Sequence, residues 1–100
     1  MPFSVLERPF KWRHLTATAQ VHSQQGVLHT VTINRPDPAA AGTVTLYDGI
    51  GVTAAIIAII ALDSALFVIP TTLVYDLAYG TGLYVAFSGA TLGDITVSYF

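Results

Sequence analysis

The sequence predicts an all-β domain: a single β-sandwich or jelly roll of seven to eight short antiparallel strands, preceded by an extended N-terminal arm. Three observations predict it. From Val27 to Phe100, apolar and polar residues alternate in short runs. Gly, Pro and Asp interrupt those runs about every 8–12 residues. The runs themselves are rich in Val, Ile, Thr and Tyr, whose branched or aromatic side chains suit a pleated surface. One hundred residues make one domain, divided here into an arm over 1–12 and a sandwich over 13–100.

The arm is read from two prolines, Pro2 and Pro9, which resist helix and sheet interior, and from Phe3 and Phe10 between and beside them. Trp12 follows, flanked by Lys11 and Arg13. Aromatic rings beside basic groups make good interface anchors. The competing reading is that Phe10 and Trp12 plug one end of the core.

Leu15–Val21 alternates Leu15, Ala17, Ala19 and Val21 against Thr16, Thr18 and Gln20, as one strand. The segment from His22 to Gly26 is a loop. Val27–Asn34 puts Val27, His29, Val31 and Ile33 on one face, with Leu28, Thr30 and Thr32 on the other. A hairpin between these two strands would set His29 opposite Ala19. Arg35 to Gly42 holds two prolines and is a turn region. Thr43–Asp48 alternates again, and Gly49 and Gly51 end it.

Ala54–Leu62 is uncharged and carries four isoleucines, at 56, 57, 59 and 60. Its spacing fits a helix, but β-branching, its short length and its neighbours favour a strand. We expect a strand buried on both faces, one against the core and one against a neighbouring subunit, with Ile57 and Ile59 as interface candidates. Leu66–Ile69 is a brief strand ended by Pro70. Thr72–Tyr79 alternates Leu73, Tyr75, Leu77 and Tyr79 against Val74, Asp76 and Ala78. Leu83–Ser88 and Ile95–Phe100 complete the set.

Only 10% of the residues are charged, against roughly a quarter in an average soluble chain. Such a surface is poorly protected against association, so copies of itself or other partners should cover it, and a homo-oligomer is expected. All four basic residues lie in 1–35, while 36–100 carries five Asp and no Lys or Arg. That split favours head-to-tail contact, though ten charges can fall this way by chance. Too few basic groups cluster to hold nucleic acid. The chain has no Cys, so it needs no disulfide. No basic start precedes an apolar core at the N-terminus, so synthesis in a cytoplasm without a signal peptide is expected. The uncharged stretch from Gly49 to Leu62 is too short to span a bilayer, and extending it to Pro70 buries Asp63 at the midplane. No membrane partner is expected.

Chemistry finds little support. Gly49-Ile50-Gly51-Val52-Thr53-Ala54 fits a phosphate-binding turn with Asp76 downstream. That reading needs a helix over 52–62 and a second βαβ unit, so we read a loop between antiparallel strands. His14, His22 and His29 lack the close spacing of a zinc site. Ser64 and Ser88 have no base nearby in sequence. No enzymatic activity, cofactor or metal is expected.

Three strands of the C-terminal part carry a resemblance, Val44-Thr45-Leu46-Tyr47-Asp48, Gly82-Leu83-Tyr84-Val85 and Asp94-Ile95-Thr96-Val97-Ser98-Tyr99, together with Gly26–Ile33. They resemble small virion proteins of tailed bacteriophages, of the capsid decoration or cement type. The resemblance covers about residues 26–100; Ala54–Leu62 departs from it, where a more polar edge would be expected. It implies a β-sandwich that binds the major capsid protein and copies of itself, assembled in the host cytoplasm and resident in the virion. It brings no catalytic residues. The alternative within the same setting is a tail, neck or host-binding module, with Tyr75, Tyr79 and Tyr84 as its aromatic contacts.

Overall fold

A computed structural model describes residues 10–35, 42–62, 70–89 and 93–100. The described residues form eight strands: β1 (Lys11–Leu15), β2 (Ala19–His22), β3 (Gly26–Arg35), β4 (Thr43–Asp48), β5 (Ala55–Ala61), β6 (Thr71–Tyr79), β7 (Leu83–Ser88) and β8 (Asp94–Tyr99). They build two four-stranded sheets, ordered β1-β8-β3-β6 and β2-β7-β4-β5. Every pairing is antiparallel. The expected all-β sandwich is what the chain forms.

The strand order has a simple logic. β1 pairs β8, β2 pairs β7, β3 pairs β6 and β4 pairs β5. The chain is thus one long hairpin ribbon folded at the β4–β5 turn. Rolling that ribbon up adds the pairs β3·β8 and β4·β7, and divides it between two sheets. This nested order is that of a jelly roll.

The core lies between the sheets. Leu28, Val31 and Ile33 of β3 and Ile95, Val97 and Tyr99 of β8 face Val44 and Leu46 of β4 and Leu83 and Val85 of β7. Ile60 and Leu62 close one side, and Tyr79 is also buried. Burying one such side chain contributes about 1.5–3 kcal/mol, before the entropy of ordering it.

Four expectations need correction. Leu15–Val21 is not one strand: pairing stops at Leu15 and resumes at Ala19, in the other sheet. The break at 16–18 carries the chain across the sandwich. Nor do 15–21 and 27–33 form a hairpin, since β2 pairs β7 and β3 pairs β6 and β8. The faces of β3 also differ from strict alternation, because Leu28, Val31 and Ile33 all point inward. Leu28 and Thr30 oppose the adjacent residues Tyr99 and Ser98, so His29 is an extra residue relative to β8 and reverses the alternation. Finally, β5 is a strand but is not buried on both faces. It ends its sheet, and Ile56 and Ile59 are 56% and 63% exposed.

The loop over 49–54 joins β4 to β5, which are antiparallel, so the glycine-rich turn has the hairpin context read from the sequence. Gly51 has a φ of 104°, a conformation side chains disfavour. Strand pairing begins at Lys11, and residues 1–9 lie outside the described residues. So does the short strand expected at Leu66–Ile69.

Candidate interaction surfaces

Strand alternation separates the N-terminal candidates. Lys11 and Arg13 share the phase of Leu15 and stand opposite the buried Tyr99 and Val97. They therefore point to the core side of β1, but at the open edge, where both remain exposed. The Arg13 guanidinium reaches the Gln20 carbonyl at 3.5 Å. Trp12 stands opposite Ser98 on the outer face, 68% exposed. Phe10 stacks flat on His29 (centroids 4.1 Å apart, planes 8° apart) and meets Phe100 edge-on at 5.0 Å. Phe10 and Trp12 are thus both exposed and do not plug the core, and the two cations are directed to the opposite face from Trp12. Phe3 lies outside the described residues.

Polar groups also bridge the strands of this sheet, one beside Phe10 and one at the other end of β8. His29 shares a hydrogen bond of 2.6 Å with Asp76, whose φ of 50° is left-handed. His14 bonds Asp94 at 2.8 Å, and the Asn34 amide donates to the same carboxylate oxygen at 2.9 Å. Partial burial pushes the Asp94 carboxyl up, but the His14 and Asn34 hydrogen bonds and the charges of His14 and Arg35 outweigh it, leaving the group lowered. These groups stabilise the strand pairs β1·β8, β3·β8 and β3·β6 from outside.

On the second sheet the outer face carries Ile56 and Ile59 beside Tyr47 and Thr45. Tyr47 and Tyr84 face each other across β4 and β7 with centroids 6.1 Å apart. Ile57 is half-buried and packs against the core, so of the two candidates in β5 only Ile59 is presented outward. Ile56 was missed, because the β4·β5 register shifts between Leu46 and Tyr47, where Ile57 becomes the extra residue. Ile50 and Val52, also exposed, extend the apolar strip along the 49–54 loop.

Tyr79 and Tyr84, which the host-binding alternative would bring together, do not meet. Tyr79 is buried, its hydroxyl 2.7 Å from the His22 Nδ1, while Tyr84 lies on the outer face of the other sheet. Burial, with the charges of Tyr99 and Asp48, pushes the Tyr79 hydroxyl up to about 12. It stays neutral across the physiological range.

At the β4 end, the Asp48 carboxylate accepts the N–H groups of Gly80 and Thr81 at 2.9 Å and that of Gly82 at 3.4 Å. Those bonds, Gly80 first, lower its pKa. Asp48 is a clasp for the β6–β7 turn. Nearby, the Gln20 amide nitrogen donates to the carbonyls of His22, Gly49 and Leu83, tying β2 to the same end. Among the described residues no group of three His, Cys, Asp or Glu could hold a metal ion. No described helix is long and apolar enough to cross a membrane.

Comparison with protein-family models, with curated proteins and with solved structures gives no match.

Proposed function

We propose that this protein is a structural subunit of a virus particle, a capsid decoration or cement protein of the tailed-bacteriophage type. It binds an assembled shell across neighbouring subunits of the major capsid protein and associates with copies of itself. One observation carries the reading: the exposed apolar residues. Phe10, Trp12, Ile50, Val52, Ile56, Ile59, Val74, Leu77 and Phe100 are all 43–68% exposed in a chain with 10% charged residues. Isolated exposed apolar residues need no explanation, but Trp12 and Val74 on one outer face and Ile56 and Ile59 on the other mark contact surfaces. The jelly-roll order adds fold-level support, because viral capsid proteins use it; lectins use it too, so it is analogy only.

The mechanism is mass action. A protein that binds the closed shell and not its dissociated subunits adds its binding free energy to the closed state. The exposed rings of Phe10, Trp12 and Phe100 are the anchor on the shell. The test is co-sedimentation with empty shells of the cognate capsid protein. The expected result is saturable pelleting and a raised shell melting temperature. Trp12→Ser should weaken pelleting by roughly tenfold or more, as a central aromatic anchor does. Protein that stays in the supernatant at every ratio overturns the proposal.

A host-binding module remains the alternative, since Trp12 stands exposed beside the polar Ser98 and Thr30. Glycan binding abolished by Trp12→Ser, with no shell binding, would favour it.

A further inference from the structure

Among the described residues the sandwich has four edge strands, β1 and β6 in one sheet and β2 and β5 in the other. An open edge offers unpaired backbone groups to any passing strand, and proteins blunt such edges with charge, proline, bulges or shortness. Three of these edges are blunted. β1 carries Lys11 and Arg13 on its core-facing phase, exposed at the rim. β6 follows Pro70 and carries Asp76 in a left-handed conformation where its register with β3 shifts. β2 is only four residues long and its register shifts between Gln20 and His22.

β5 is different. It is seven residues long, Ala-Ile-Ile-Ala-Ile-Ile-Ala, with no charge and no proline. Among the described residues its only strand partner is β4. Its register shift at Ile57 is on the β4 side and brings no polar group to the rim. Ile56 and Ile59 project from it on the outer face, more than half exposed. The nearest charges in sequence are Asp48 and Asp63, both beyond its ends.

We propose that the β5 edge is a homodimer interface, where β5 of a second copy pairs antiparallel about a two-fold axis. The two sheets then become one continuous eight-stranded sheet, ordered β2-β7-β4-β5 and back. A second copy fits for two reasons. An uncharged edge pays no repulsion against itself, whereas the other three edges would oppose like charges or lack length. And an antiparallel copy sets Ile56 opposite the second copy's Ile59 and Ile59 opposite its Ile56, so outward side chains meet outward ones and each copy offers the same surface to the other. Backbone pairing supplies affinity, and Ile56 and Ile59 of both copies cover one another on the outer face. The inference names the self-association partner in the cement reading but does not rest on shell binding.

The test combines sedimentation equilibrium with amide hydrogen exchange on the full chain. The wild type should be dimeric, and the alternate amides of Ala55–Ala61 that point away from β4 should exchange slowly. Ile59→Lys should raise the dimer dissociation constant by at least about tenfold and make those amides exchange fast. Val74→Lys, an equal change at an exposed residue of the other sheet, should leave the dimer intact. Should Ile59→Lys lose the fold by circular dichroism, Ala61→Lys places the same charge at another exposed residue of the strand. A wild type that stays monomeric to about 200 µM, a dimer indifferent to charge in β5, or one broken by Val74→Lys instead, overturns the inference. A β5 dimer that ignores shells would remove the cement reading alone.

Discussion

Asp48 shows how one side chain holds two distant turns. Its carboxylate gathers the N–H groups of Gly80, Thr81 and Gly82, which would otherwise lack partners at the β6–β7 turn. Those bonds favour the charged form, so the folded pKa lies below the unfolded one. The stabilisation is therefore fully present above the ordinary carboxylate value of about 4 and is lost as pH falls through the folded value. Asp48→Asn should cost about 1–2 kcal/mol near neutral pH. In urea titrations the gap between wild type and variant should shrink below about pH 4. A gap that stays constant to pH 2 would contradict this role (about two units below the ordinary value). Gly26 is a second single-residue constraint. A Cβ there would stand 2.6 Å from the Phe100 carbonyl oxygen and 2.7 Å from the Tyr79 hydroxyl. Gly26→Ala should destabilise by about 1–3 kcal/mol, read as a lower thermal midpoint. Neither role was legible in the sequence. Asp48 was read only as the last residue of an alternating run, and Gly26 only as the end of a loop. Their partners lie over thirty and fifty residues away, and local spacing carries no trace of them.

At the scale of the strand, alternation was a good guide wherever pairing was regular. In β4, Val44 and Leu46 are buried and Thr45 and Tyr47 are not. In β8, Ile95, Val97 and Tyr99 point inward as a set. Alternation failed at the irregularities, in β3 at His29 and in β5 at Ile57. An extra residue there is a property of the pair of strands, and one strand's sequence does not announce it. The composition of β5 was read correctly as a strand despite its helical spacing, since isoleucine fits a pleated surface. Its burial was overestimated because an all-apolar run looks like a central strand, whereas this one ends its sheet. The contrast is measurable. Leu46→Ala, at a fully buried site, should cost about 2–5 kcal/mol in denaturant titrations. Ile59→Ala, measured dilute enough to hold the protein monomeric, should cost within about 0.5 kcal/mol. Equal costs would mean that the outer face of β5 is covered within the single chain.

Across the whole molecule, the sequence showed a rhythm of seven to eight short strands but not their order. Proximity in sequence, the commonest guide to pairing in β proteins, suggested only a hairpin of 15–21 with 27–33. The chain instead nests its pairs, so that β1 meets β8 and β2 meets β7. The 16–18 break, where the chain passes from one sheet to the other, was hidden in a run that alternates without interruption. The aromatic contacts were half legible: Phe10 and Trp12 were singled out, but Phe100 meets Phe10 only because β1 pairs β8. The uneven charge also has a partly internal explanation, because Arg35 stands in register with Asp94 and its charge contributes to holding that carboxylate. What is left over is apolar surface on both outer faces and an uncharged edge. The virion reading makes those features useful instead of hazardous, since a particle covers them. The most direct measurement is an electron-microscopy map of shells saturated with this protein. The account predicts two-sheet density repeated at symmetry-related joints between capsid subunits, with the Trp12 side against the shell. Bare joints at saturating protein, or density confined to the tail end of the particle, would contradict it.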